Sequence, residues 1–383
     1  MMKKENSLKQ FLPVIFSFYV MGFVDVVGLA TGYIKKDFGL SNGVAQILPF
    51  MVFIWFALLA IPTGVFQDNR GKRLTVNIGM VLTGIGVLIP FIHYSLVTAI
   101  IGFAVLGIGN TILQVSANPL LLDISSEEGK AANLSLSQFV KAIASMLGPI
   151  IAAGLALYTG NWKLIFPVYA IISFASALWL NSVKIEESKP DKARATIKSV
   201  FLLLKNPYIL IMVFAIFFMV GFDVTMNTSI ASFLNSRFPI SIESASLGIS
   251  IYFASLMTGR FLGAFLLRKV DAKLSLVVST IITLIGLIGL IMSHDLLLTR
   301  IMIFVAGFGF SNVFPIVFAI IVQSKPDYAN ELSGLIILAV CGGAIIPPVA
   351  GFLSDLFTAT ASIYVLLACI AYVAYATYYA IKK

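Results

Sequence analysis

Apolar residues run along this chain in stretches of about twenty or more, separated by short polar or glycine-containing intervals. A helix rising 1.5 Å per residue needs about 20 mostly apolar residues to cross a hydrocarbon core about 30 Å thick. Twelve stretches meet that need. They lie at about 11–34, 44–66, 74–94, 96–124, 132–158 and 164–183, then at about 207–235, 245–268, 273–293, 296–323, 332–357 and 360–381. None shows the ten-residue alternation of a membrane barrel. The first run follows Lys3, Lys4 and Lys9 but is too long for a signal peptide, and no small-residue cleavage site follows it. The pattern predicts an all-α membrane protein with twelve transmembrane helices. One long polar interval, KIEESKPDKARATIKS from Lys184 to Ser199, divides the spans six and six. It predicts an N-terminal half at 1–183, a linker at 184–206 and a C-terminal half at 207–383.

Composition agrees. The chain is 59% hydrophobic and 11% charged, with a mean hydropathy of +1.00, whereas soluble domains carry about 25% charged residues. A soluble enzyme, a nucleic-acid binder and a disordered chain are thereby excluded. The net charge of +9 is explained by topology. With the N-terminus placed in the cytoplasm, nineteen Lys and Arg residues fall in inside segments and five outside, leaving Lys141 and Arg260 within spans. The expectation is a multi-pass protein of the cytoplasmic membrane with both termini cytoplasmic, its partners the lipid bilayer and no nucleic acid. Cys341 and Cys369 lie in apolar stretches without ligand-like spacing, so no disulfide framework or metal site is expected.

The halves echo one another. Gly22-Phe23-Val24-Asp25 in span 1 answers Gly221-Phe222-Asp223 in span 7, and Gly107-Ile108-Gly109 in span 4 answers Gly307-Phe308-Gly309 in span 10. Ordered recurrence in equivalent spans indicates two repeats. Gly148-Pro149 in span 5 and Pro347-Pro348 in span 11 are candidate points of bending, or of close static packing.

Between spans 2 and 3, Gly64-Val65-Phe66-Gln67-Asp68-Asn69-Arg70-Gly71-Lys72-Arg73 resembles the G-x-x-x-D-x-R-G-R-R signature of the major facilitator superfamily. Three further blocks narrow the resemblance. They are Gln114-Val115-Ser116-Ala117-Asn118-Pro119, Gly259-Arg260-Phe261-Leu262-Gly263, and the run from Gly342-Gly343 through Pro347-Pro348 to Asp355. Together they resemble the fucose permease family of proton-coupled, sometimes sodium-coupled, sugar transporters. The resemblance implies the major facilitator fold of two pseudo-symmetric six-helix halves, with helices 1, 4, 7 and 10 lining a central cavity. It implies a sugar-like substrate, a coupling cation (H+ or Na+) and no cofactor.

The chain departs from that family at charged positions. The family's helix 4 glutamate corresponds to Gln114, and its helix 1 acid would fall near Val27 or Gly28, whereas the acid here is Asp25. Its helix 5 asparagine corresponds to Lys141, three residues after Gln138. Charged residues inside spans are costly and mark functional sites by default. Asp25 and Asp223 are therefore the candidate cation-coupling carboxylates, with a fixed ion-pair or hydrogen-bond role as the bland alternative. Gln114, Asn118, Gln138, Asn227 and Asn312 offer amides suited to sugar hydroxyls, or to bonds between helices. Tyr19 and Phe23 are candidate stacking surfaces. Lys141 would hold a substrate carboxylate or phosphate, pair permanently with Asp25, or stand in for a bound cation. The pair is the expectation carried forward, since sugars of the resembled family are neutral. Asp68, Arg70, Arg73 and Arg260 are the candidate gate residues.

No H-E-x-x-H, G-x-S-x-G, C-x-x-C or G-x-x-x-x-G-K-[ST] occurs, so the chain is not expected to be an enzyme or to hydrolyse ATP itself. A channel is disfavoured by the duplicated halves. The remaining alternatives are a carrier of an organic anion or sugar acid held by Lys141, and an efflux antiporter of the same fold.

Overall fold

The computed structural model describes residues 2–125, 130–187, 202–266, 270–325 and 328–382. Among these residues there is no strand, and twelve helices are long and apolar enough to span a bilayer. They are α1 (Leu8–Phe38), α2 (Asn42–Arg70), α3 (Lys72–Ile92), α4 (Leu96–Asp123), α5 (Leu136–Thr159) and α6 (Trp162–Ser182). The second half holds α7 (Pro207–Arg237), α8 (Ile242–Gly263), α9 (Ala272–Met292), α10 (Leu296–Ser324), α11 (Gly334–Leu356) and α12 (Ala361–Lys382). Apolar runs of this length become helices in hydrocarbon because no water is present to bond an open backbone. Observed helices match the predicted spans to within a few residues. Of the expected linker 184–206, residues 188–201 lie outside the described residues.

Three spans are interrupted near mid-depth, which the hydropathy pattern does not reveal. In α1 a 3-10 segment, Gly22–Asp25, separates two α-helical pieces. In α10 the α-helix ends at Phe310 and resumes at Val313, and in α11 it ends at Ala339 and resumes at Gly342. Such backbone is tolerated at membrane depth where protein groups surround it. Asn110 Nδ2 of α4 donates to Met21 O (2.9 Å) and Asn227 Nδ2 of α7 donates to Asp25 O (3.0 Å), one on each side of the α1 break. Asn312 Nδ2, at the α10 break, donates to Gly259 O of α8 at 2.8 Å. By contrast, helix continues through Pro149 and through Pro347-Pro348.

An even number of spans places both chain ends at one end of the bundle. At the opposite end the halves are tied together. The Asp355 carboxylate of α11 accepts from Asn42 N (2.7 Å), Asn42 Nδ2 (2.8 Å) and Gly43 N (2.6 Å), satisfying the first free amides of α2. Lys35 Nζ of α1 bridges Asn42 Oδ1 (2.5 Å) and Ser232 Oγ of α7 (3.0 Å). A small cavity whose lining includes Thr31, Lys35, Gln46, Thr228, Ser232 and Ser362 lies within this seal, away from the charged residues at mid-depth. Hydrogen bonds joining described residues of the two halves lie at this seal or at mid-depth.

Candidate functional site

Four charged side chains from four helices meet at the junction of the halves. Asp25 (α1), Lys141 (α5), Asp223 (α7) and Arg260 (α8) are close enough to act on one another electrostatically, and all four are half-buried. Each acid has a hydroxyl donor. Ser145 Oγ of α5 donates to the Asp25 carboxylate at 2.5 Å, and the Tyr252 hydroxyl of α8 donates to Asp223 at 2.6 Å.

The cations are held differently. Arg260 Nε donates to Ser311 O at the α10 break, at 3.4 Å. Among the described residues the Lys141 ammonium makes no hydrogen bond, and neither acid lies within 4.0 Å of it. The expected contact pair of Lys141 with Asp25 is therefore not formed. The reason is register: Ser145, one turn further along α5, stands level with Asp25 and reaches it first. The Cα–Cβ bond of Lys141 tilts towards the start of α5, away from that level. An ammonium left without a partner at membrane depth costs about 2.5–3.5 kcal/mol on insertion scales.

The uncharged candidates divide. Gln114 Nε2 donates to Asn110 Oδ1 at 2.7 Å, and Asn118 Nδ2 donates to Gln114 O at 3.3 Å, so these amides form one ladder along α4 that ends on the α1 break. Asn227 and Asn312 commit their NH2 groups to backbone carbonyls at or against the α1 and α10 breaks, although Asn227 Oδ1 is buried without a partner. Gln138 is half-buried on α5, one turn before Lys141. Tyr19 is half-buried, stacked on Phe16 with ring centroids 5.3 Å apart. Phe23 is fully buried, and Tyr169 covers its face at 3.8 Å.

Of the gate candidates, Asp68 and Arg70 are exposed at the end that carries the termini. Gly71 has φ +96°, a conformation that favours glycine. The turn it makes aims Lys72 N and Arg73 N at the Glu187 carboxylate, while Arg73 Nη1 donates to Val183 O. Lys72 Nζ pairs with Asp123 of α4 at 2.6 Å. The signature thus anchors the end of α6 and the start of the linker within its own half. Arg260, expected at the gate, belongs to the central cluster.

Sequence reasoning did not single out Ser145, Tyr252, Lys35, Asn42 or Glu187. Only Glu187, an acid of the linker, carried any distinguishing signal.

Twelve spans in two halves, sealed at one end beyond a charged mid-depth junction, define a multi-pass membrane transporter. Residues 12–348 match the Major Facilitator Superfamily, and the chain belongs to that superfamily. It is similar to the glucose/galactose transporter of Brucella abortus, 23% identical over 378 residues, covering 94% of this chain and 90% of the relative. It is also similar to the L-fucose-proton symporter of Haemophilus influenzae, 20% identical over 391 residues, covering 92% and 90%. In three dimensions it is similar to the superfamily transporter FucP in the outward conformation, with a TM-score of 0.71 at 16% identity, covering 98% of this chain and 99% of that one. These are proteins of transport, not of catalysis.

Proposed function

We propose that this chain is a secondary active transporter that carries a sugar or sugar derivative across the cytoplasmic membrane by alternating access, in symport with a proton or sodium ion. The observation that carries the proposal is the cluster at the junction of the halves. Two carboxylates on the lead helices of the two repeats lie at the junction that the amide ladder of α4 also reaches, next to helix breaks able to reshape it. Relatives described as glucose/galactose and fucose transporters support the sugar class. Gln114, Asn118 and Gln138 bond substrate hydroxyls, Tyr19 offers an aromatic wall, and Asp25 with Asp223 carries the coupling cation. The halves at 1–183 and 207–383 move as units about the linker. With both termini cytoplasmic, the sealed end is the outer one and the state is inward-facing. Asp68 and Arg70, exposed here, then engage the other half when the inner gate closes.

Uptake of radiolabelled glucose, galactose and fucose into proteoliposomes, under imposed pH or sodium gradients, tests this reading. Uphill uptake driven by one gradient and abolished by its dissipation is expected, with counterflow in the absence of any gradient. No sugar flux above protein-free vesicles, or flux with channel-like conductance, would refute it.

A further inference from the structure

We propose that the sugar taken by this site carries a carboxylate, which is held between Lys141 of α5 and Arg260 of α8. The proposal rests on the sugar-transport reading above and names the class of sugar.

The asymmetry of the charged cluster is the starting point. Both acids have a close hydroxyl donor, Ser145 for Asp25 and Tyr252 for Asp223. Neither cation has an anionic partner within 4.0 Å among the described residues. The Lys141 ammonium makes no hydrogen bond there, and Arg260 uses Nε alone, which leaves both terminal nitrogens of the guanidinium unengaged. Among the described residues nothing receives the three ammonium protons of Lys141 or the terminal nitrogens of Arg260. A carboxylate supplies the acceptor oxygens both require, in the geometry that guanidinium groups match best.

The two cations are also placed to act together. Helices α5 and α8 run in opposite directions, and two contacts fix their register. Ser250 Oγ donates to Met146 O at 3.0 Å, and the rings of Phe139 and Phe261 meet with centroids 6.4 Å apart. Lys141 and Arg260 both fall between those contacts, nearer the aromatic pair. Lys141 stands one turn from Ser145 on the side of the chain termini. The bond from Cα to Cβ of Arg260 leans back along α8 towards Tyr252. The cations thus border the acids on the side away from the seal, where an entering ligand meets them first. A neutral sugar would satisfy the amides of α4 but leave both cations uncompensated. A uronic acid satisfies the amides through its ring hydroxyls and the cations through its carboxylate.

Isothermal titration of the purified full-length protein against D-glucuronate, D-galacturonate, D-glucose, D-galactose and lactate tests the proposal. Each uronate is expected to bind at least tenfold more tightly than the hexose of the same ring configuration. Lys141→Gln should reduce that preference to less than twofold, Lys141→Arg should retain most of it, and Arg260→Gln should lower it. Hexoses that bind the unsubstituted protein as tightly as the uronates overturn the carboxylate proposal and leave sugar transport standing. Failure of folded protein to bind any sugar overturns both, as does lactate binding as tightly as glucuronate. If Lys141→Gln does not fold, the selectivity of the unsubstituted protein and of Arg260→Gln decides the matter.

Discussion

Asp25 sits at the end of a 3-10 turn with one hydroxyl donor and, among the described residues, no cation within 4.0 Å. A carboxylate in a contact ion pair is pinned in its charged form. One served by a hydroxyl can take up and release a cation by local rearrangement, because serine both donates and accepts. Gln114, in the place of the resembled family's helix 4 acid, is already bonded to Asn110, so Asp25 is the stronger coupling candidate. Asp25→Asn should abolish uphill accumulation in proteoliposomes while counterflow persists at no less than about a tenth of the unsubstituted rate, the loss being confined to coupling. Accumulation at the unsubstituted level would move the coupling role to Asp223.

At the scale of the helix, α1 can break at Gly22–Asp25 because neighbouring helices approach it unusually closely. A Cβ on Gly28 would lie 2.5 Å from the backbone oxygen of Asn227, so α7 passes directly against α1 there. This explains why the acid of α1 is not found near position 28: α7 occupies that space, and Asp25, one turn earlier, faces Ser145 instead. Gly259 and Gly263 serve α8 similarly, since a side chain on either would collide with Ser311 or Asn312 of α10. Gly28→Ala should therefore destabilise the protein by about 1–3 kcal/mol through overpacking, read as a clear fall in Tm in detergent. Gly64→Ala, at a position with nothing within 4 Å, is the control and should leave Tm unchanged or slightly raised. Equal melting of the two variants would contradict the close approach.

For the whole molecule, the seal opposite the termini decides which state is populated. Asp355 makes three hydrogen bonds to the start of α2 across the halves, and Lys35 adds a second tie through Asn42 and Ser232. Bonds to a charged group contribute about 1.5–3 kcal/mol when buried, and less here because Asp355 is exposed. A loss of about 1.4 kcal/mol shifts a two-state ratio about tenfold. Asp355→Ala should thus populate a state open at this end. Spin labels at Val44 and Phe357, both exposed, on a background with Cys341 and Cys369 replaced by serine, should report a longer distance in the variant. An unchanged distance distribution would mean that apolar packing alone holds the seal.

Hydropathy determined the number, length and order of the spans, because crossing a bilayer is a one-dimensional requirement on consecutive residues. The duplication, the signature turn at Gly71 and the intramembrane charges were legible for the same reason: each is a local pattern or a local cost. Which charges meet was not. Asp25 finds Ser145 120 residues away, and Asn42 finds Asp355 313 residues away. Lys141, whose chemistry suggested a pair with Asp25, stands outside contact because of the rotation and depth of α5. Lipid and protein interior are both apolar, so hydropathy carries little information about which face of a membrane helix turns inward or how far it slides against its neighbours. Only the packed helices decided that Asp25 and Asp223 would be served by hydroxyls and that, among the described residues, Lys141 and Arg260 would have no contact anion.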